Sequence, residues 1–193
     1  SLQLVAGKKG LDRNLTSSDV NRPGLALAGF VGLFTYDRVQ VLGNTEMLFL
    51  DGLAKKDRES VLDTIFQFDI PCLVLTDGNE AHPVMSKLAR QKKIPVFRTP
   101  FSTTKFAHLL SYHLDDVFAP RTVLHGSLVD VYGIGLLLFG RSGIGKSEIA
   151  IDLVERGHRL VADDIVIVSR KLQGLLVGSS GETLRDHMEI RGV

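Results

Sequence analysis

A chain of 193 residues, 44% hydrophobic and 23% charged, has the composition of an ordinary globular protein of one or two domains, which excludes global disorder. Its 23 lysines and arginines nearly balance 22 aspartates and glutamates, so the net charge of +1 carries no overall footprint for nucleic acid or an anionic membrane. The longest apolar stretch, residues 25–34, contains Gly29 and Gly32 and is far shorter than the about 20 residues of a spanning helix; the amino terminus also lacks a signal peptide's basic and apolar regions, so a soluble, cytoplasmic protein is expected.

Val39-Gln40-Val41-Leu42 reads as a strand ended by Gly43-Asn44. Thr45 then opens a helix through Leu53, and Asp57 reads as the N-cap of the next, with Val61, Leu62, Ile65 and Phe66 on one face. Pro71 starts a strand over residues 72–75. Its Cys72 is the single cysteine, so no internal disulfide is possible and a buried, inert thiol is expected. Asp77-Gly78-Asn79 forms a turn, a helix follows over residues 84–91, and Val96-Phe97 makes another strand. Thr103 or Thr104 caps a further helix whose inner stripe is Phe106, Leu109, Leu110 and Leu114. Strands alternating with helices favour parallel pairing, which predicts an N-terminal α/β domain with a mostly parallel sheet.

Ala119-Pro120-Arg121-Thr122 reads as the linker, giving domains at 1–120 and 121–193. Beyond it β-rich segments dominate: residues 123–124, 128–132 and 135–139, then, after one helix, 160–162, 165–168 and 175–177. Between the two β groups lies the most specific motif of the chain. Gly140-Arg141-Ser142-Gly143-Ile144-Gly145-Lys146-Ser147 matches G-x-x-x-x-G-K-[ST] at every position. The three glycines permit the tight backbone path that turns several N–H groups toward one anion. Lys146 can neutralise the β and γ oxygens of a nucleotide, and the Ser147 hydroxyl can ligate Mg²⁺. The flanks agree with a P-loop. Leu136-Leu137-Leu138-Phe139 reads as a buried strand, Ile149, Ala150, Leu153 and Val154 as a helical stripe, and Gly157 as the C′ glycine that ends the helix.

A P-loop alone does not separate kinase, ATPase and GTPase. Leu160-Val161-Ala162-Asp163-Asp164 ends an apolar strand in two carboxylates, and strand alternation allows only one of them to face the phosphates. A carboxylate there can hold Mg²⁺ through water or accept a proton from an attacking hydroxyl; a pair of solvated turn acids is the plainer alternative. Only one helix and a short turn lie between Ser147 and Asp163, which suits a small kinase-like unit better than a GTPase.

Together these residues resemble the HPr kinase/phosphorylase family. The resemblance rests on His125-Gly126-Ser127-Leu128-Val129-Asp130-Val131-Tyr132-Gly133 before the loop, on the loop extended through Glu148, and on Arg156-Gly157-His158-Arg159-Leu160-Val161-Ala162-Asp163-Asp164 after it. It continues in His187-Met188-Glu189-Ile190-Arg191-Gly192-Val193 and, near the start, in Gly10-Leu11-Asp12-Arg13 and Arg22-Pro23-Gly24-Leu25-Ala26-Leu27-Ala28-Gly29. It implies a phosphoenolpyruvate carboxykinase-like, β-rich P-loop kinase domain after the N-terminal one. It also implies phosphorylation by ATP, or by pyrophosphate as donor, of a serine in the phosphocarrier HPr, and phosphorolysis that consumes inorganic phosphate and releases pyrophosphate. Hexamers are the expected homo-oligomer.

Carried over by position, Asp164 is the general base of the kinase step and the acid of the reverse one, with Lys146 on the phosphates. Ser147 and Glu189 are the Mg²⁺ ligands, and His125 is the active-site histidine. Before that resemblance is weighed, a lone histidine ahead of a strand reads as structural. His82, His108, His113 and His158 keep that reading, as does Asp130, while His187 and Arg191 stay open. Family members run on for about 100 residues, a typical sub-domain length, so further strands, a basic loop tied to phosphorolysis and carrier-binding helices are expected to be missing. Two other functions stay open: a P-loop kinase or ATPase with another substrate, and a nucleotide- or phosphate-sensing module without catalysis.

Overall fold

Four short strands, β2 (Val20–Asn21), β3 (Val39–Leu42), β4 (Leu73–Leu75) and β5 (Val96–Arg98), pair in parallel, each beside its successor in the chain. The structure is a computed structural model describing residues 1–171 and 174–181, and the chain divides into two units, Ser1–Phe118 and Ala119–Val193. In the first unit β1 (Gln3–Ala6) adds antiparallel to β5, giving the order β1-β5-β4-β3-β2.

Parallel strands laid down in one direction, with right-handed connections, keep the intervening helices on one face. Here these are α1 (Gly24–Leu27), α2 (Asn44–Gly52), α3 (Lys55–Phe66) and α4 (Pro83–Lys92). The two-residue strand period sorts the core accordingly. Leu42, Leu73, Leu75 and Val96 pack with Leu27, Leu50, Leu62, Phe66 and Met85, while Val39, Val41 and Val74 turn to Phe106 of α5 (Thr103–Val117). Gln40 is fully buried in β3, yet its carboxamide accepts from Asn21 Nδ2 at 2.8 Å and donates to the Thr35 and Arg38 carbonyls at 2.9 and 2.7 Å. A satisfied amide is tolerated in a sheet interior.

Several local expectations change. β1 is not read from the sequence, and its antiparallel pairing with β5 reveals it. α3 begins one residue after Ala54, so Asp57 lies inside its first turn, where its charge still meets the positive helix end. Ser102, not Thr103 or Thr104, is the N-cap residue of α5, and the Thr103 hydroxyl instead engages Thr76 and Asp77. Phe106 and Leu114 are buried on α5, whereas Leu109 is exposed because it sits a third of a turn away from the inner stripe.

The second unit contains β6 (Arg121–Val131), β7 (Ile134–Phe139), α6 (Lys146–Glu155), β8 (Arg159–Ala162), β9 (Ile165–Arg170) and β10 (Leu176–Ser180). Residues 123–124 and 128–131 belong to one long strand, β6, whose first half pairs with β9 and whose second half pairs with β8. All pairings are antiparallel, in the order β10-β9-β6-β7 with β8 also on β6. Tyr132 and Gly133, at φ of +52° and +88°, make the two-residue turn between β6 and β7, with the positive φ pair of a type I′ hairpin. β7 is an edge strand among the described residues. Phe139 is therefore 75% exposed and Leu136 43% exposed, rather than buried as the apolar run suggests. On α6 only Ala150 is buried, and Ile149 and Val154 face outward. Among the described residues no helix is long and apolar enough to cross a membrane.

Candidate functional site

β7 ends at Phe139, and the chain passes through a glycine loop into α6. Gly140, Gly143 and Gly145 adopt φ of +151°, +79° and +99°, a region that L side chains rarely enter. Lys146 is the first residue of α6. Its Nζ donates to the carbonyls of Gly140 at 3.1 Å and Arg141 at 3.0 Å, so the ammonium folds back over the loop. Arg141, Ser142 and Ile144 are exposed on the loop, and Ser147 is exposed in the first helical turn.

The far end of α6 is equally well defined. Gly157 at φ +91° donates to the Val154 carbonyl and His158 N to that of Leu153, the two bonds of a Schellman motif. The helix thus presents its unsatisfied N–H groups and positive end at the loop. Backbone amides, a helix N-terminus and a lysine form a donor set that fits a polyphosphate, and the Ser147 hydroxyl fits a hard cation beside it.

The register of β6 brings the other groups to this loop. Gly126 pairs with Phe139, which sets His125 next to Gly140. On the opposite edge Leu128 pairs with Ala162 and His125 with Ile165. No residue is gained or lost between those pairs, so Ser127 lies opposite Asp163 and Gly126 opposite Asp164. β8 and β9 are therefore one ribbon interrupted by the acidic pair. With strands about 5 Å apart, the loop and the acidic pair flank this part of β6 at about one strand spacing each.

The two acids differ sharply in environment. Asp163 accepts a hydrogen bond from Ser127 Oγ at 2.6 Å, and its own carbonyl accepts from Ile165 N at 2.9 Å. Asp164 has φ +72°, its carbonyl accepts from Gly126 N at 3.1 Å, and its Oδ1 lies 4.0 Å from Nδ1 of His125. That is ion-pair reach rather than a hydrogen bond, between side chains that are 87% and 84% exposed, so solvent screens it strongly. Strand alternation allows only one of the two acids to share a face with His125, but it assumes a regular strand. The left-handed backbone at Asp164 breaks the ladder, Ser127 occupies one carboxylate, and the other turns toward His125.

Ser127 carried no signal of its own in the sequence; its partner is 36 positions away and emerges only from the register. The other weighed groups sit elsewhere. His158 stacks edge-on against Tyr132 at 4.9 Å, and Asp130 accepts from Gly133 N and Arg159. His82 is at the start of α4, and His108 and His113 are on α5. Glu189, His187 and Arg191 lie outside the described residues. Among the described residues no cluster of three or more His, Cys, Asp or Glu side chains could hold a metal.

Two family models tile the chain: HPr Serine kinase N terminus over residues 1–114, and HPr Serine kinase C-terminal domain over residues 116–193. The HPr kinase/phosphorylase of Chloroherpeton thalassium is 50% identical over 181 residues, covering 94% of this chain and 53% of that protein. That of Leptospira biflexa serovar Patoc is 47% identical over 192 residues, covering 100% of this chain and 60% of its own length. A third, from Prosthecochloris aestuarii, is 50% identical over 181 residues, again 94% and 53%. The chain spans little more than half the length of these relatives. A P-loop and a following acidic pair in one unit, with both family domains matched in order, lead to one conclusion: this chain belongs to the HPr serine kinase family.

Proposed function

We propose that the protein containing this chain transfers the γ-phosphoryl group of ATP to a serine of HPr, and that the same site removes it by phosphorolysis. Inorganic phosphate enters and pyrophosphate leaves in that reverse step. A homo-oligomer, a hexamer by family resemblance, and a cytoplasmic location belong to the same reading. The observation that supports it best is the arrangement around β6, with the glycine loop on one edge and Asp164 on the other.

In this reading the loop amides of residues 140–147 and Lys146 bind and orient the phosphates. Lys146 exchanges its present carbonyl acceptors for phosphate oxygens, so the ammonium is already at the loop when nucleotide arrives. Ser147 and Glu189 would hold Mg²⁺, which when bound supplies charge neutralisation at the phosphates. Asp164 takes the proton of the serine hydroxyl as its oxygen attacks phosphorus, and returns a proton to that oxygen in the reverse direction; His125 beside it can share the proton. A positioned acid–base group contributes about 10²–10⁴ in rate, and orientation and electrostatics supply most of the remainder.

The test uses the full-length protein with γ-labelled ATP, Mg²⁺ and HPr. Label should appear on a serine of HPr, and Lys146→Ala should abolish it. Nucleotide binding without any transfer would overturn the proposal in favour of a sensing module, and transfer to a protein other than HPr would make it a kinase of different specificity. Asp164→Asn should impair both directions; loss of one alone would show that base and acid are separate groups.

A further inference from the structure

We propose that Ser127 is a positioning residue for Asp164, acting through Asp163. The inference rests on the reading of Asp164 as the acid–base group. In an unbroken antiparallel ladder, directly opposed residues share a face and neighbours along a strand alternate. His125 and Ser127 then share one face with Ile165 and Asp163, and Asp164 belongs to the other face with Gly126. The carboxyl of Asp164 nevertheless comes within 4.0 Å of His125, and the change of direction is the left-handed backbone at φ +72°. Aspartate enters that region more readily than most side chains, but within a paired β ribbon it stays there only when its neighbours hold it.

Two consecutive residues of β6 provide that constraint. Ser127, 1% exposed, donates its hydroxyl to Asp163 at 2.6 Å, a short charge-assisted bond. Gly126 N–H donates to the Asp164 carbonyl. β6 lies close against β7 at this point, since a side-chain carbon on Gly126 would come within 2.4 Å of the Leu138 carbonyl. The break is thus held against a strand that is paired on both edges. Without the Ser127 hydroxyl, Asp163 loses its partner, and residues 163–164 can relax toward the regular ladder, carrying the Asp164 carboxyl away from His125. The phosphate loop is not touched by this bond, so the effect falls on turnover and not on nucleotide binding.

Ser127→Ala, Ser127→Thr, Asp163→Ala and the Ser127→Ala/Asp163→Ala pair are compared in the full-length protein, with phosphoryl transfer to HPr and nucleotide affinity measured for each. Ser127→Ala should lower kcat between about 10- and 100-fold, the scale of a misplaced catalytic group, and leave the nucleotide Kd within about twofold. Ser127→Thr, which keeps the hydroxyl, should recover most of the rate. Asp163→Ala should match Ser127→Ala, and the double variant should be no worse than either single one. Amide hydrogen exchange gives a readout that needs no activity: protection at Gly126 should fall about tenfold in Ser127→Ala while Val129 and Leu137 keep theirs. Unchanged kcat or unchanged Gly126 protection in Ser127→Ala would overturn the proposal, as would additive losses in the pair. If the wild-type protein transfers no phosphate, the functional reading fails by itself, and the exchange measurement still decides whether Ser127 holds the break. Should Ser127→Ala not fold, Asp163→Ala carries the same two expectations.

Discussion

Arg13 offers a sharp test of what the Gly10-Leu11-Asp12-Arg13 segment does, because its guanidinium ties three backbone regions together. Nε donates to the Lys93 carbonyl at 2.7 Å, Nη2 to that of Lys92 at 3.2 Å and Nη1 to that of Ile70 at 3.0 Å. Lys92 ends α4 and Lys93 follows it at φ +54°, so a cation caps the negative end of the helix. Gly10 allows the approach, since a side-chain carbon there would meet the Lys93 carbonyl at 1.9 Å. Hydrogen bonds from a charged donor contribute about 1.5–3 kcal/mol each in favourable settings. Two of these three lie where water can replace them, so the expected cost of Arg13→Ala is about 2–3 kcal/mol in total. At about 2.1 cal/mol/K per residue for a unit of this size, the melting temperature should fall by about 8–12 °C. Arg13→Lys should lose more than half of that, because one ammonium cannot span three divergent carbonyls. Asp69→Asn should cost less than about 0.5 kcal/mol, because the Asp69 side chain is 85% exposed. Calorimetry of the N-terminal unit's transition measures all three. A loss under about 1 kcal/mol in Arg13→Ala would refute the clamp.

Burial pushes the Cys72 thiol up to about 12, so the native protein should react with iodoacetamide about a thousandfold more slowly than a free thiol, with full reactivity regained in denaturant. His82 titrates below its ordinary value, chiefly through burial and then through the charge of Arg58, with Asp51 opposing. The unfolded chain therefore binds a proton at higher pH than the fold does, so stability is complete above about pH 6.5 and declines as pH falls through the folded value. His82→Phe should flatten that decline in denaturant titrations across pH, and an unchanged slope would assign it to other groups. Gly145→Ala places a side chain at φ +99°, a strain of about 1–2 kcal/mol. Nucleotide affinity by calorimetric titration should weaken about tenfold or more, and wild-type affinity would show that the loop does not need this geometry.

Legibility followed the kind of signal involved. The glycine loop and its helix were readable because φ-positive glycines, a lysine at the helix start and a C′ glycine each impose a residue type at a fixed offset. The parallel sheet was readable because strands alternate with helices along residues 39–117, and a parallel pair needs such a crossover between its strands. The exposure of Leu136 and Phe139 was not, because an apolar run does not say how many neighbours its strand has. Nor was the difference in contacts between Asp163 and Asp164. Alternation assumes an unbroken strand, and nothing in two adjacent aspartates announces a left-handed residue between two strand segments.

The geometry around His125 depends on register more than on any local contact. A slip of one residue along β6 would exchange its faces, moving His125 and Ser127 away from Ile165 and Asp163 together. What pins the register lies at the far end of the strand. The Tyr132-Gly133 turn fixes β6 against β7, and Asp130 closes it by accepting from Gly133 N at 2.8 Å. The second oxygen of the same carboxylate accepts from Arg159 at 3.0 Å, directly across the pairing with β8. One carboxylate thereby locks both edges of β6. Asp130, which reads from sequence as a turn or strand-edge residue, holds the β6–β7 alignment on which the glycine loop depends, while toward β8 the register shifts by one residue between Leu128 and Val129 before it reaches the acidic pair.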